Sequence, residues 1–239
     1  MDIGLSNKPC ERNSINFLHI PKCGGSTITN IIRKEYTREV NRVDGYNVFG
    51  SINENVEKAR RVCNKNIDNI LYIIGHYRYY DFEELVNSKS IFSTIILRNP
   101  VDRVISHFYY LKQNEDLKLN DMVTGMSFKE YLEHDYHGLV DTYNNFMTGF
   151  LSKQYDIYEA IHNLRQFNMV GILKDMDLFH KNLVGILGWQ NTELEIKNEN
   201  ESRPEKKKIS PEIIGMIRKR NQLDLKLYEE AVSLSKSAS

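Results

Sequence analysis

Lysine, glycine and hydroxyl side chains crowd one short run of this chain, Lys22, Cys23, Gly24, Gly25, Ser26 and Thr27. A turn built on two glycines can curl tightly and present amide hydrogens to an anion, and the positive end of a following helix adds to the attraction. Such a turn suits a phosphate. Because Lys22 precedes the glycines, its ammonium would lie across the mouth of the turn, near the bond between a bound phosphate and the group that leaves it. The GxxxxGK[ST] pattern, with its lysine after the glycines, is absent. Two further side chains stand at comparable points. His76 follows Gly75 and can carry a proton near neutral pH, while Arg98 precedes Asn99 and Pro100 and can grip a phosphate through two parallel hydrogen bonds.

The elements around these residues explain how they could meet. Ile15 to Ile20 is a short apolar run ending at Pro21, and from Ser26 onward Ile28, Ile31 and Ile32 fall on one helix face. This predicts strand, phosphate turn, helix. Ile70 to Ile74 and Phe92 to Leu97 are apolar runs of the kind found in parallel strands, and Met169 to Leu173 is a fourth. Asn99 and Pro100 suit a helix start, with Val101, Val104, Ile105, Phe108 and Leu111 as its apolar face. In an open parallel sheet ligands bind at the carboxyl ends of the strands, so Lys22, His76 and Arg98 should gather around one crevice. Helical patterns then run through Ile52 to Cys63, Phe128 to Glu133, Thr142 to Leu151, Ile157 to Gln166, Met176 to Leu187 and from Ser210 to near the end. Residues 1–14 read as a loose arm, and the polar stretch 191–209 as a flap over the crevice or a solvated loop.

Composition narrows the class. The 239 residues fit one α/β domain, and 41% hydrophobic with 27% charged residues is ordinary for a folded globular protein. Thirty-two basic residues balance 32 acidic ones, so no global field recruits nucleic acid. No run approaches the roughly 20 apolar residues of a membrane span, and no signal-peptide core opens the chain, which favours a cytoplasmic location. Cys10, Cys23 and Cys63 lack metal-ligand spacing, and the histidines His19, His107, His134, His137, His162 and His180 form no metal-like group, so packing or exposure is expected of them.

Taken together, the three strand ends resemble the sulfotransferases that use 3′-phosphoadenosine 5′-phosphosulfate (PAPS), in particular the carbohydrate branch that includes heparan sulfate 2-O-sulfotransferase. FLHIPKCGGST resembles that family's 5′-phosphosulfate loop, TIILRNPVDRVISHFYYL its 3′-phosphate segment, and GHYRYYDF its base-bearing segment; NESRPEKKKIS resembles its closing segment. The resemblance implies a P-loop-NTPase-like three-layer α/β fold, a central parallel sheet flanked by helices. It implies that Lys22, Cys23, Gly24, Gly25, Ser26 and Thr27 hold the 5′-phosphate, that Arg98, Ser106, Ser202 and Arg203 bind the rest of PAPS, and that His76 is the general base. No metal would be needed, and the acceptor would be a carbohydrate hydroxyl. Cys23 stands where threonine is usual, which leaves the amides intact and makes its oxidation a liability. Eukaryotic relatives are Golgi membrane proteins, so a trimmed form of a lumenal enzyme is the alternative location.

Two competing readings remain on sequence grounds. One is an ATP-dependent small-molecule kinase, opposed by the absent lysine after the glycines and by no clear magnesium carboxylate after a strand. The other is a non-catalytic nucleotide-binding scaffold, opposed by the presence of both Lys22 and His76, since binding alone needs no base.

Overall fold

The computed structural model describes residues 2–5 (backbone only), 14–37, 61, 70–87, 91–117, 119–190, 194 and 209–237. Five strands, β1 (Asp2–Leu5), β2 (Ser14–Leu18), β3 (Ile70–Gly75), β4 (Ile91–Leu97) and β5 (Met169–Ile172), form one sheet in the order β1-β3-β2-β4-β5. The last four run parallel, and β1 joins β3 antiparallel. The β1 segment lies inside the stretch expected to be a loose arm. Four residues are too few to show a period, and what they gain is pairing with the open edge of β3.

The buried pattern of β2 to β5 follows from being covered on both faces. On one face Leu18, Ile73, Ile95, Leu97 and Val170 pack with Leu151, Ala160 and Leu227 from helices on that side. On the other, Ile15, Phe17, Ile74 and Ile96 pack with Ile28, Ile32, Phe179 and Leu183. This is the three-layer arrangement expected from the sequence. The helices are α1 (Gly25–Thr37), α2 (Glu83–Val86), α3 (Pro100–Gln113), α4 (Asn120–Thr124), α5 (Phe128–Glu133), α6 (His137–Val140), α7 (Phe146–Leu151), α8 (Ile157–Leu164), α9 (Met176–Leu187), α10 (Pro211–Arg220) and α11 (Gln222–Ser237).

Where Thr142 to Leu151 was expected as a single helix, α7 starts only at Phe146. Asn145 takes a left-handed conformation with φ +47°, its side-chain oxygen accepts from the amides of Leu223 and Asp224, and its own amide donates to the Asn221 side chain. Asp224, fully buried, then accepts from the amides of Met147 (3.0 Å) and Thr148 (2.7 Å), capping α7 from another helix. Arg103, also fully buried, donates to the Thr142 carbonyl at 2.5 Å and lies 4.3 Å over the Phe146 ring. Burial pushes Asp224 up and Arg103 down from their ordinary values, each opposed by the other's charge.

The helix expected over Ile52 to Cys63 and the stretch 191–209 fall largely outside the described residues, and Ser202 and Arg203 fall wholly outside them.

Candidate active site

The phosphate turn leaves β2 and enters α1 within a few residues. The amide of Cys23 donates to the Ile20 carbonyl (3.2 Å) and that of Thr27 to the Gly24 carbonyl (3.3 Å), so these two amides shape the turn. Gly25 and Ser26 open α1, where first-turn amides have no carbonyl four residues back, and no acidic residue lies in that turn. Those amides suit an anion. Lys22 (φ +68°) and Gly24 (φ +84°) both sit in the left-handed region. For Gly24 this is ordinary; for Lys22 it stores roughly 1–2 kcal/mol of strain, which the surroundings must offset. Arg98 does so in part by donating to the Lys22 carbonyl at 2.9 Å.

Gly24 also sits close to the segment that follows β5: a Cβ there would stand 2.4 Å from Leu173 Cδ1 and 2.9 Å from Met176 Cε, the ends of two flexible side chains that would have to shift. Gly24→Ala is therefore expected to lower the melting temperature by several degrees and to weaken nucleotide binding up to about tenfold, mainly through the roughly 1–2 kcal/mol left-handed penalty, with Leu173 and Met176 shifting to admit the methyl group. Thermal denaturation with and without nucleotide measures both.

Cys23 points away from the site. Its side chain is buried, its sulfur lies 3.9 Å from that of Met147, and burial pushes its thiol up to about 12. The oxidation liability expected from sequence is thus countered: a buried, protonated thiol is inert. Its contribution is to anchor the turn.

His76 follows β3 directly. Tyr77 and Tyr79 are buried, with the Tyr77 hydroxyl donating to the Asn16 side-chain oxygen, while His76 and Arg78 are exposed between and beside them. This alternation turns His76 outward. Its Nδ1 lies 2.5 Å from the His19 carbonyl, and since a carbonyl only accepts, Nδ1 carries the proton and Nε2 is the basic nitrogen. Although the side chain is open to solvent, the protein around the ring lowers its pKa below 6.5, with the hydrogen bond to His19 opposing. The imidazole is neutral at neutral pH.

The structure therefore brings Lys22 and Arg98 into contact and sets His76 beside β2 through His19. It does not bring Ser106 to the surface: that residue lies on α3 and is only 6% exposed. One turn further along α3, on the same face, Tyr110 receives the Lys22 ammonium 3.8 Å over its ring. Tyr110 contacts the turn's lysine in a way that the sequence did not single out, although it lies in the TIILRNPVDRVISHFYYL segment, four residues after Ser106. Among the described residues no group of three or more His, Cys, Asp or Glu side chains is arranged to hold a metal, and no helix is long and apolar enough to cross a membrane.

Comparison with known proteins places the chain in a family. Residues 9–229 match the model of the sulfotransferase family. Over 124 residues the chain is 26% identical to the heparan sulfate 2-O-sulfotransferase hst-2 of Caenorhabditis elegans, a match covering 46% of this chain and 36% of that protein. The phosphate turn, the strand-end arginine and the strand-end histidine all lie within the matched span of a family model that takes in most of the chain, and the chain belongs to the sulfotransferase family.

Proposed function

We propose that this protein moves the sulfuryl group of PAPS to a hydroxyl of a carbohydrate acceptor by in-line displacement. The bond formed is between the acceptor oxygen and sulfur, and the bond broken is between sulfur and the 5′-phosphate oxygen, which leaves with the electron pair. His76 Nε2 takes the acceptor's proton. Lys22 neutralises the departing oxygen, and the turn from Lys22 to Thr27 holds the phosphate at the start of α1. Arg98 takes the 3′-phosphate, and Ser202 and Arg203 are assigned to PAPS binding on the family resemblance. The observation that carries this reading is the His76 ring, its Nδ1–H held by the His19 carbonyl so that Nε2 is left as the proton acceptor, joined through the His19 ring to a turn whose Lys22 carbonyl is held by Arg98. A carbohydrate acceptor is supported by the name of the worm relative, which refers to heparan sulfate.

The test is transfer of radiolabel from [35S]PAPS to de-O-sulfated heparan sulfate, beside an uncharged glucan of similar length. Labelled polysaccharide formed without added magnesium supports the reading. Absence of label on either acceptor, with tighter binding of magnesium ATP than of 3′-phosphoadenosine 5′-phosphate (PAP), would move the kinase reading ahead.

A further inference from the structure

In-line transfer requires the sulfuryl group to pass between the base and the phosphate turn. One side chain touches both. The His19 ring centroid lies 4.4 Å from that of His76, and on its other edge it covers the first residue of α1: a Cβ at Gly25 would stand 2.1 Å from His19 Cδ2 and 2.4 Å from Nε2. The ring stacks on Phe17 at 5.7 Å, which fixes its plane, and it is half-buried rather than sealed in the core. Glycine at position 25 is what admits the ring.

We propose that His19 is a further catalytic residue, whose Nε2–H donates a hydrogen bond to a non-bridging oxygen of the sulfuryl group as it crosses from the 5′-phosphate to the acceptor. This rests on the sulfuryl-transfer reading above. Burial, with His76 and Lys22 nearby, pushes His19 down to about 3, so the ring stays neutral and acts as a donor, not as a second base. It neither gains nor loses a proton during the step. The acceptor's proton goes to His76 and the electron pair of the broken bond to the phosphate. A preorganised neutral donor in a partly dry site stabilises the charge that spreads over the sulfuryl oxygens without reorganising at the moment of reaction.

Two variants separate donation from packing. His19→Phe keeps a flat ring over Gly25 and removes the N–H, whereas His19→Gln keeps an N–H of similar reach. With [35S]PAPS and de-O-sulfated heparan sulfate as probes, kcat is expected to fall about 10²- to 10³-fold in His19→Phe and to recover at least about tenfold of that loss in His19→Gln. PAP affinity by calorimetry should stay near the wild-type value in both. Equal losses in the two variants, loss of PAP binding in parallel with kcat, or a wild-type kcat in His19→Phe would each overturn the proposal. Circular dichroism establishes folding, and if His19→Phe does not fold, His19→Leu takes its place. A wild-type protein that binds PAP and transfers label while His19→Phe does the same sinks only this inference. A wild type that does neither sinks the sulfotransferase reading itself.

Discussion

Replacing His76 with alanine is expected to lower kcat by about two to four orders of magnitude while PAP binds as before. The ring contributes a lone pair on Nε2, because Nδ1–H is committed to the His19 carbonyl, and alanine offers no proton acceptor. The pH profile carries a second, independent signature. A base works only when unprotonated, and burial holds His76 below its ordinary 6.5. The kcat/KM of the wild type should therefore fall as pH drops through an apparent value below 6.5 and be flat from there through neutral pH. In His76→Ala the residual rate should lose that acid limb. A limb that persists unchanged in the variant would assign it to another group.

The second large effect is expected at Arg98. Arg98→Ala should weaken PAP binding by about 10- to 100-fold, the range implied by loss of charge-assisted hydrogen bonds worth roughly 1.5–3 kcal/mol. The geometry adds a complication that the measurement can resolve. Arg98 also holds the carbonyl of Lys22, a residue in a strained left-handed conformation, so its removal relaxes the phosphate turn as well. ADP, which lacks a 3′-phosphate, separates the two contributions. If the guanidinium meets the 3′-phosphate, PAP loses far more affinity than ADP; if it acts only through the turn, both lose the same amount. Arg98→Lys should recover little, because an ammonium cannot reproduce the planar fork.

These expectations rest on parts of the molecule that were unequally legible in its sequence. The sheet was readable because β2 to β5 are covered on both faces, which makes each a nearly continuous apolar run, and because Asn99 and Pro100 mark the start of α3, where the Asn99 side chain accepts from the Val101 amide at 3.0 Å. The strand ends followed from that, and with them Lys22, His76 and Arg98. What stayed hidden depends on contacts between elements far apart in sequence. The left-handed Lys22 is invisible to propensity, since the bond from Arg98 and the ring of Tyr110 that help hold it come from residues far away in sequence. His19 read as an ordinary packed histidine until its neighbours Gly25 and His76 were brought against it. The start of α7 was placed too early because it is set by residues 221–224, which no local period reports.

That last contact also bears on the order in which the molecule can assemble. Met147, whose sulfur backs Cys23 in the phosphate turn, stands on a helix capped by Asp224. Strand, turn and first helix emerge early during synthesis, yet the floor beneath the turn closes only when a residue near the other end of the chain arrives. The packing beneath the turn accordingly depends on long-range closure and not on its local sequence alone. A nascent chain carrying every residue from Ile15 to Arg98 would hold the chemistry of the site without its shape. Under the proposed function, competence to bind nucleotide is expected to report the docking of α11.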